Sequence, residues 1–104
     1  MTNKIFSLLG LCARARKVVS GEFSTEKAVK EGKAWLVIVA NDASDNTKKL
    51  FKNKCEFYEV PCYEFGDKDS LGHCIGNEMR ASLAVLDEGL AREIEKKLTE
   101  SVDA

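Results

Sequence analysis

One histidine and one proline are all that 104 residues hold of either type. Ser-His-Asp chemistry would have to run through His73, and no nucleophile-elbow pattern surrounds any serine. His73 is followed directly by Cys74, and neighbours on a helix diverge by about 100°, so the pair is poorly placed to share a proton. The single Pro61, with no Gly-, Ser- or Gln-rich stretch, leaves nothing that reads as a linker or a disordered tract. Long apolar runs are missing too. The longest, Ala34 to Ala40, falls far short of the ~20 residues of a membrane span. Met1-Thr2-Asn3-Lys4 leads into an amphipathic segment without a signal-type cleavage site, so a soluble, unexported, cytoplasmic protein is expected.

Close cysteine pairs are a further absence. Cys12, Cys55, Cys62 and Cys74 contain no C-x-x-C, the spacing structural zinc sites usually use, and each sits among core-type residues. Reduced, buried thiols are expected rather than a metal centre or a disulfide framework. Gly72-His73-Cys74-Ile75-Gly76 lacks the lysine and the length of a phosphate-binding P-loop. No cofactor is expected.

What is present is the composition of an ordinary globular protein, 44% hydrophobic and 32% charged. A chain of this length forms one domain, 1–104, and buries roughly two-thirds of its unfolded surface. The net charge of −1 conceals an asymmetry. Residues 1–54 carry 11 Lys and Arg against 5 Asp and Glu; residues 55–104 carry 5 against 12. A basic half beside an acidic half suggests a polyanion-binding face.

Ile5, Leu8, Leu9, Cys12 and Ala13 recur at helical spacing, predicting a helix over about 4–15 that ends at Arg14 and Arg16. Lys17 to Ser20 reads as a short strand broken by Gly21. Thr25, Ala28 and Val29 then mark the buried stripe of a second helix stopping at Gly32. Trp35 to Ala40 is continuous and β-branched, like a strand buried on both faces. Asn41-Asp42-Ala43-Ser44 can cap a helix carrying Thr47, Leu50 and Phe51 inward and Lys48, Lys49 and Lys52 outward. Val60 to Phe65 is a strand, with Pro61 restricting it to a start or an edge. Asp67 or Asp69 can cap a short helix ended by Gly76, Ala81 to Leu86 is a strand, and Asp87 opens a last helix through Leu90, Ala91, Ile94 and Leu98. Four strands alternating with helices predict an α/β fold, a three-layer α-β-α sandwich around a small mixed four-stranded sheet. Its strand order is not legible from periodicity.

The candidate chemistry lies at a helix mouth. A strand, Gly21 and then a helix start place unpaired backbone N–H groups and a positive dipole end at the surface, with Lys27 and Lys30 beyond, which makes an anion site. Two other loops lie between a strand and a helix: Asn41-Asp42-Ala43-Ser44, and Ile75-Gly76-Asn77-Glu78-Met79-Arg80. Both offer small or amide side chains able to read ribose or base edges.

Taken in order, these segments resemble the L-seven-Ae family of ribosomal-type, kink-turn RNA-binding proteins, most closely its small bacterial YlxQ-like branch. The residues carrying the likeness are Leu8-Leu9-Gly10-Leu11, Ala13-Arg14 with Arg16-Lys17-Val18-Val19-Ser20-Gly21, Lys27-Ala28, Gly32-Lys33-Ala34, and Leu36 through Ser44. Val60-Pro61, Leu71-Gly72, Gly76 and Ala84 through Gly89 continue it over nearly the whole chain. The resemblance implies an α-β-α sandwich whose second helix docks its start into the widened groove of a kink-turn, beside tandem sheared G·A pairs. A second loop would pack an apolar contact on an extruded nucleotide.

The family's Gly-x-Asn-Glu-x-x-Lys signature falls on Gly21-Glu22-Phe23-Ser24-Thr25-Glu26-Lys27, with Phe23 and Ser24 standing where Asn and Glu are usual. Phe23 can only stack or pack, and Ser24 keeps one hydroxyl, so shape and backbone recognition are better preserved than guanine-edge readout. The expected function is non-catalytic binding of structured RNA, a kink-turn or related G·A-containing fold, in a ribosome or translation context, with ribosomal RNA a candidate partner. Gly21 would allow close approach, Lys27 and Lys30 would meet phosphates, Asn41, Asp42 and Ser44 would line one flank and Asn77 to Arg80 the other. No DNA or membrane partner is expected, and the chain should be monomeric without RNA. The competing expectation is a protein-interaction module of the ribosome or a translation factor, using the acidic segment from Asp87 to Asp103.

Overall fold

The computed structural model describes residues 3–102. Each helix begins where a short polar side chain or a glycine frees the chain from its strand. Asn3 caps α1 (Lys4–Arg14), its Oδ1 accepting from the Ile5 N–H at 2.8 Å. Strand β1 (Val18–Ser20) and Gly21 lead into α2 (Glu22–Lys30), and β2 (Leu36–Val39) runs to the Ser44 cap of α3 (Asp45–Tyr58). After β3 (Cys62–Glu64), Asp67 caps α4 (Lys68–Cys74) through the Ser70 N–H at 2.7 Å. Finally, β4 (Ser82–Val85) precedes α5 (Glu88–Val102), whose first turn is held by Asp87 accepting from Leu90 N–H at 2.8 Å.

The sheet order is β1-β4-β2-β3. The last strand in sequence therefore enters the middle, antiparallel to both β1 and β2, while β2 and β3 are parallel. Burial follows that order. All four residues of β2 and of β4 are buried, whereas β1 and β3 are only partly so. Pro61 sits just before the edge strand β3, as its missing donor requires, and its carbonyl accepts from Val37 N–H. Trp35, expected within β2, lies just outside it: its N–H bonds to Val85, but its side chain is exposed at the sheet's end. Helices α2 and α3 cover one face, and α1, α4 and α5 the other, giving the three expected layers. The core between them is Ile5, Leu9, Val29, Phe51, Leu71 and Ile94 packed on Leu36 to Val39 and Leu83 to Val85. Tyr63 hydroxyl donates to Glu95 at 2.8 Å, tying the edge strand to α5.

Candidate nucleic-acid interface

Because β4 runs opposite to the other three strands, the starts of α2, the 76–80 loop, the 41–44 loop and the β3–α4 turn all emerge at one end of the sheet. Two backbone bonds stitch this end together: Gly21 N–H to Ser82 C=O at 3.0 Å and Ala40 N–H to Ala81 C=O at 2.9 Å. Asn41 N–H reaches Gly66 C=O at 2.8 Å on the far side. The three segments singled out in the sequence are thus brought together by topology, although they lie far apart in the chain.

At the centre is the start of α2. Gly21 has φ 90° and ψ 157°, a conformation that strains any side chain, and no side-chain oxygen caps the helix. The N–H groups of Glu22, Phe23 and Ser24 therefore point outward unpaired, at the positive end of the dipole. Phe23 is 79% exposed, and four residues on, Lys27 stands one turn behind it on the same helix face. Beneath them Thr25 is fully buried, its hydroxyl accepting from Ser82 at 3.5 Å, so the first turn is seated on the central strand. Lys30 belongs elsewhere. It is the last residue of this nine-residue helix, about 12 Å along the axis from its start, and is paired with Glu26 at 3.3 Å.

The 76–80 loop forms the second wall. Asn77 N–H bonds to Gly72 C=O at 2.9 Å, Gly76 N–H to His73 C=O at 3.0 Å and Arg80 N–H to Lys68 C=O at 3.0 Å, fastening it to α4 at three points. Arg80 Nε donates to Ser20 Oγ at 3.0 Å and Nη1 to Met79 C=O at 2.9 Å, joining this loop to the strand before Gly21. Asn77, Glu78 and Met79 are exposed, Met79 at 54%. Ile75, by contrast, is a buried core residue and presents nothing to a ligand. Between this loop, Phe6 of α1 and Asp69, Ser70, His73 and Cys74 of α4 lies an open cavity of about 1040 Å³.

The 41–44 loop offers less than its composition promised. Asp42 Oδ1 accepts from Lys68 N–H at 2.9 Å, and Ser44 Oγ accepts from Thr47 N–H at 3.1 Å. Both side chains are committed to starting α4 and α3, which leaves Asn41 as the exposed amide of this flank. We expect Ser44→Ala to lower stability by about 1 kcal/mol, the usual worth of such a cap, in a urea melt, while RNA affinity of the folded protein stays unchanged. Sequence reasoning missed Ser20, which holds Arg80, and Gly72, which admits the loop. Both stand among the residues that carry the resemblance, but locally they showed only a hydroxyl before Gly21 and a glycine inside a seven-residue helix.

Neither Cys74 nor Cys12 is set up as a nucleophile. Burial pushes Cys74 up to about 11, and its Sγ donates to Leu71 C=O at 3.2 Å rather than engaging His73. Cys12, buried and with Asp87 nearby, is likewise pushed up to about 11. Among the described residues no three His, Cys, Asp or Glu side chains gather as a metal site, and no helix is long and apolar enough to cross a membrane.

The model of the "Ribosomal protein L7Ae/L30e/S12e/Gadd45 family" matches residues 3–95. The RNA-binding protein YlxQ of Bacillus subtilis (strain 168) is 45% identical over 89 residues, covering 86% of this chain and 89% of that protein. Among solved structures, a protein with unknown function from Bacillus halodurans C superposes with a TM-score of 0.92 at 39% identity, over 94% of this chain and 99% of that one. The Giardia lamblia 15.5kD RNA binding protein superposes with a TM-score of 0.79 over 96% of this chain and 89% of that one. At 22% identity the last likeness concerns the fold alone.

Proposed function

The chain belongs to the ribosomal protein L7Ae/L30e/S12e/Gadd45 family, and from that membership and the geometry of the sheet end we propose that it is a non-catalytic protein binding structured RNA of the kink-turn type in a ribosomal setting. One observation carries the reading: an uncapped helix N-terminus bearing exposed Phe23 and Lys27 stands beside a loop whose Arg80 is anchored to the preceding strand. The α2 N–H groups and Lys27 suit phosphate oxygens, Phe23 and Met79 suit unstacked bases, and Asn41 and Asn77 suit ribose or base edges. Glu22 and Glu78 are exposed at the same end and oppose indiscriminate binding of any polyanion.

The test is a titration of the protein against a kink-turn RNA and a copy with its G·A pairs disrupted, each across a range of salt. Preference for the intact kink-turn at every salt concentration is the expected result; equal affinity for both, or for a plain duplex, would reduce the interaction to charge. Lys27→Glu should weaken binding about tenfold and lower the salt slope by about 1, as loss of one phosphate contact does. Complexes with ribosomal proteins that survive ribonuclease, and that RNA does not displace, would point instead to a protein-interaction module.

A further inference from the structure

A second cavity, of about 780 Å³, opens between α3 and β3 and shares no residue with the interface just described. Cys55 and Cys62 both line it. Cys55 is on the buried face of α3, and Cys62 opens the edge strand, half-buried and paired with Val37. Alternation along β3 sends the next side chain, Tyr63, to Glu95 on the opposite layer, so Cys62 faces α3. Both thiols therefore meet at one wall of the cavity, and the Cys55 thiol beside it lowers the Cys62 thiol against its burial and the charge of Glu64 while Cys55 is pushed up. Cys12 and Cys74 are also near enough to influence each other, but there the effect only raises Cys12, and burial raises both. All four cysteines are free thiols as expected, but only Cys12 and Cys55 are buried, while Cys62 and Cys74 are half-buried.

The rest of the wall supplies charge. Lys48, Lys49 and Lys52 line the cavity together with Glu56 and Glu64. Lys48 is paired with Glu64 at 3.5 Å, which leaves Lys49 and Lys52 on the rim against Glu56.

We propose that Cys55 and Cys62 form a redox-active dithiol that accepts an anionic low-molecular-weight disulfide in this cavity and closes to an intramolecular disulfide. The Cys62 thiolate attacks one sulfur of the bound disulfide; its S–S bond breaks, and the first thiolate leaves to take up the proton Cys62 had released. Cys55 then attacks the Cys62 sulfur of the mixed disulfide, and the second thiolate departs with the Cys55 proton. The protein gives up two electrons and two protons, and one disulfide becomes two thiols. The more acidic and more accessible Cys62 attacks, and buried Cys55 resolves.

The probe is oxidised glutathione, applied to the native full-length protein and followed by intact mass and peptide mapping. Wild type should lose two thiols as a Cys55–Cys62 bridge without retaining glutathione, while Cys55→Ala should retain one glutathione on Cys62, and Cys62→Ala should react no faster than Cys12 or Cys74. Circular dichroism establishes that both variants fold, and the mapped wild-type bridge tests the assignment without either of them. Equal labelling of all four cysteines, or no reaction of wild type, overturns the dithiol. The double variant Lys49→Gln/Lys52→Gln should slow reaction with oxidised glutathione several-fold but not with the uncharged hydroxyethyl disulfide; equal slowing with both overturns the anion preference.

Discussion

Gly72→Ala is expected to lower stability by about 1–3 kcal/mol, the usual cost of forcing an extra methyl into a packed site, and to weaken kink-turn binding more than tenfold. A Cβ on Gly72 would lie 1.6 Å from the Glu78 carbonyl oxygen, 2.5 Å from its carbon and 3.1 Å from Arg80 N. All three are backbone atoms, so no side-chain rotation relieves the clash; α4 and the returning loop must part. Separation strains the Asn77 to Gly72 bond and moves Arg80 away from Ser20, so the second wall of the proposed RNA site shifts relative to the α2 start. For a domain of this size each kcal/mol corresponds to roughly 4–8 °C in melting temperature. Scanning calorimetry and the same RNA titration check the two halves of the prediction separately. An unchanged melting temperature would mean that loop and helix are not in contact. A destabilised protein that still binds normally while folded would remove the 76–80 loop from the interface.

The local structure was largely legible because each boundary has a residue with one physical reason to be there. Asp87 caps the helix it was expected to open, the caps of α3 and α4 are Ser44 from the 41–44 segment and Asp67 rather than Asp69, and Thr25, Ala28 and Val29 are the buried residues of α2. Strand order was not legible, since Ser82 to Val85 is a short apolar run with nothing local to say that it enters between β1 and β2. Its composition is consistent with the centre only once burial on both faces is known. Where the structure places the candidate site residues follows from related reasons. Ile75 was grouped with its loop although its apolar side chain was free to turn into the core, and Lys30 was grouped with Lys27 although the short helix places it at the other end. Asp42 and Ser44 are residue types equally suited to capping and to ligand contact, and neighbours distant in sequence decided the matter for Asp42.

What the fold adds is rigidity at the junctions. The α2 start is seated by Thr25 on Ser82, the loop by Gly72 and by Arg80 on Ser20, and the 41–44 turn by Asp42 on Lys68. Each of these ties joins two of the segments that reach the sheet end. The exposed groups between them, the α2 N–H groups, Phe23, Lys27, Asn41, Asn77 and Met79, are thereby held in fixed relation without spending their own hydrogen-bonding capacity. On the proposed function, such preorganisation would let a small interface recognise the shape of a bent RNA.

Phe23 is where that recognition departs from the family pattern, and Phe23→Ala is expected to leave stability within about 0.5 kcal/mol while weakening RNA binding roughly fivefold to hundredfold. The two effects separate because the ring is 79% exposed, so its removal costs the protein little. A ring presented to solvent beside unpaired N–H groups and a lysine suits an unstacked base, and such stacking is worth about 1–3 kcal/mol per base. It carries no information about guanine edges, because every base has a face. Phe23→Asn/Ser24→Glu, which restores the usual pair, should therefore raise discrimination between the intact and G·A-disrupted RNAs more than it raises affinity itself. Wild-type binding by Phe23→Ala would take stacking out of the mechanism, and recognition would then rest on the α2 N–H groups, Lys27 and the loop that Arg80 anchors.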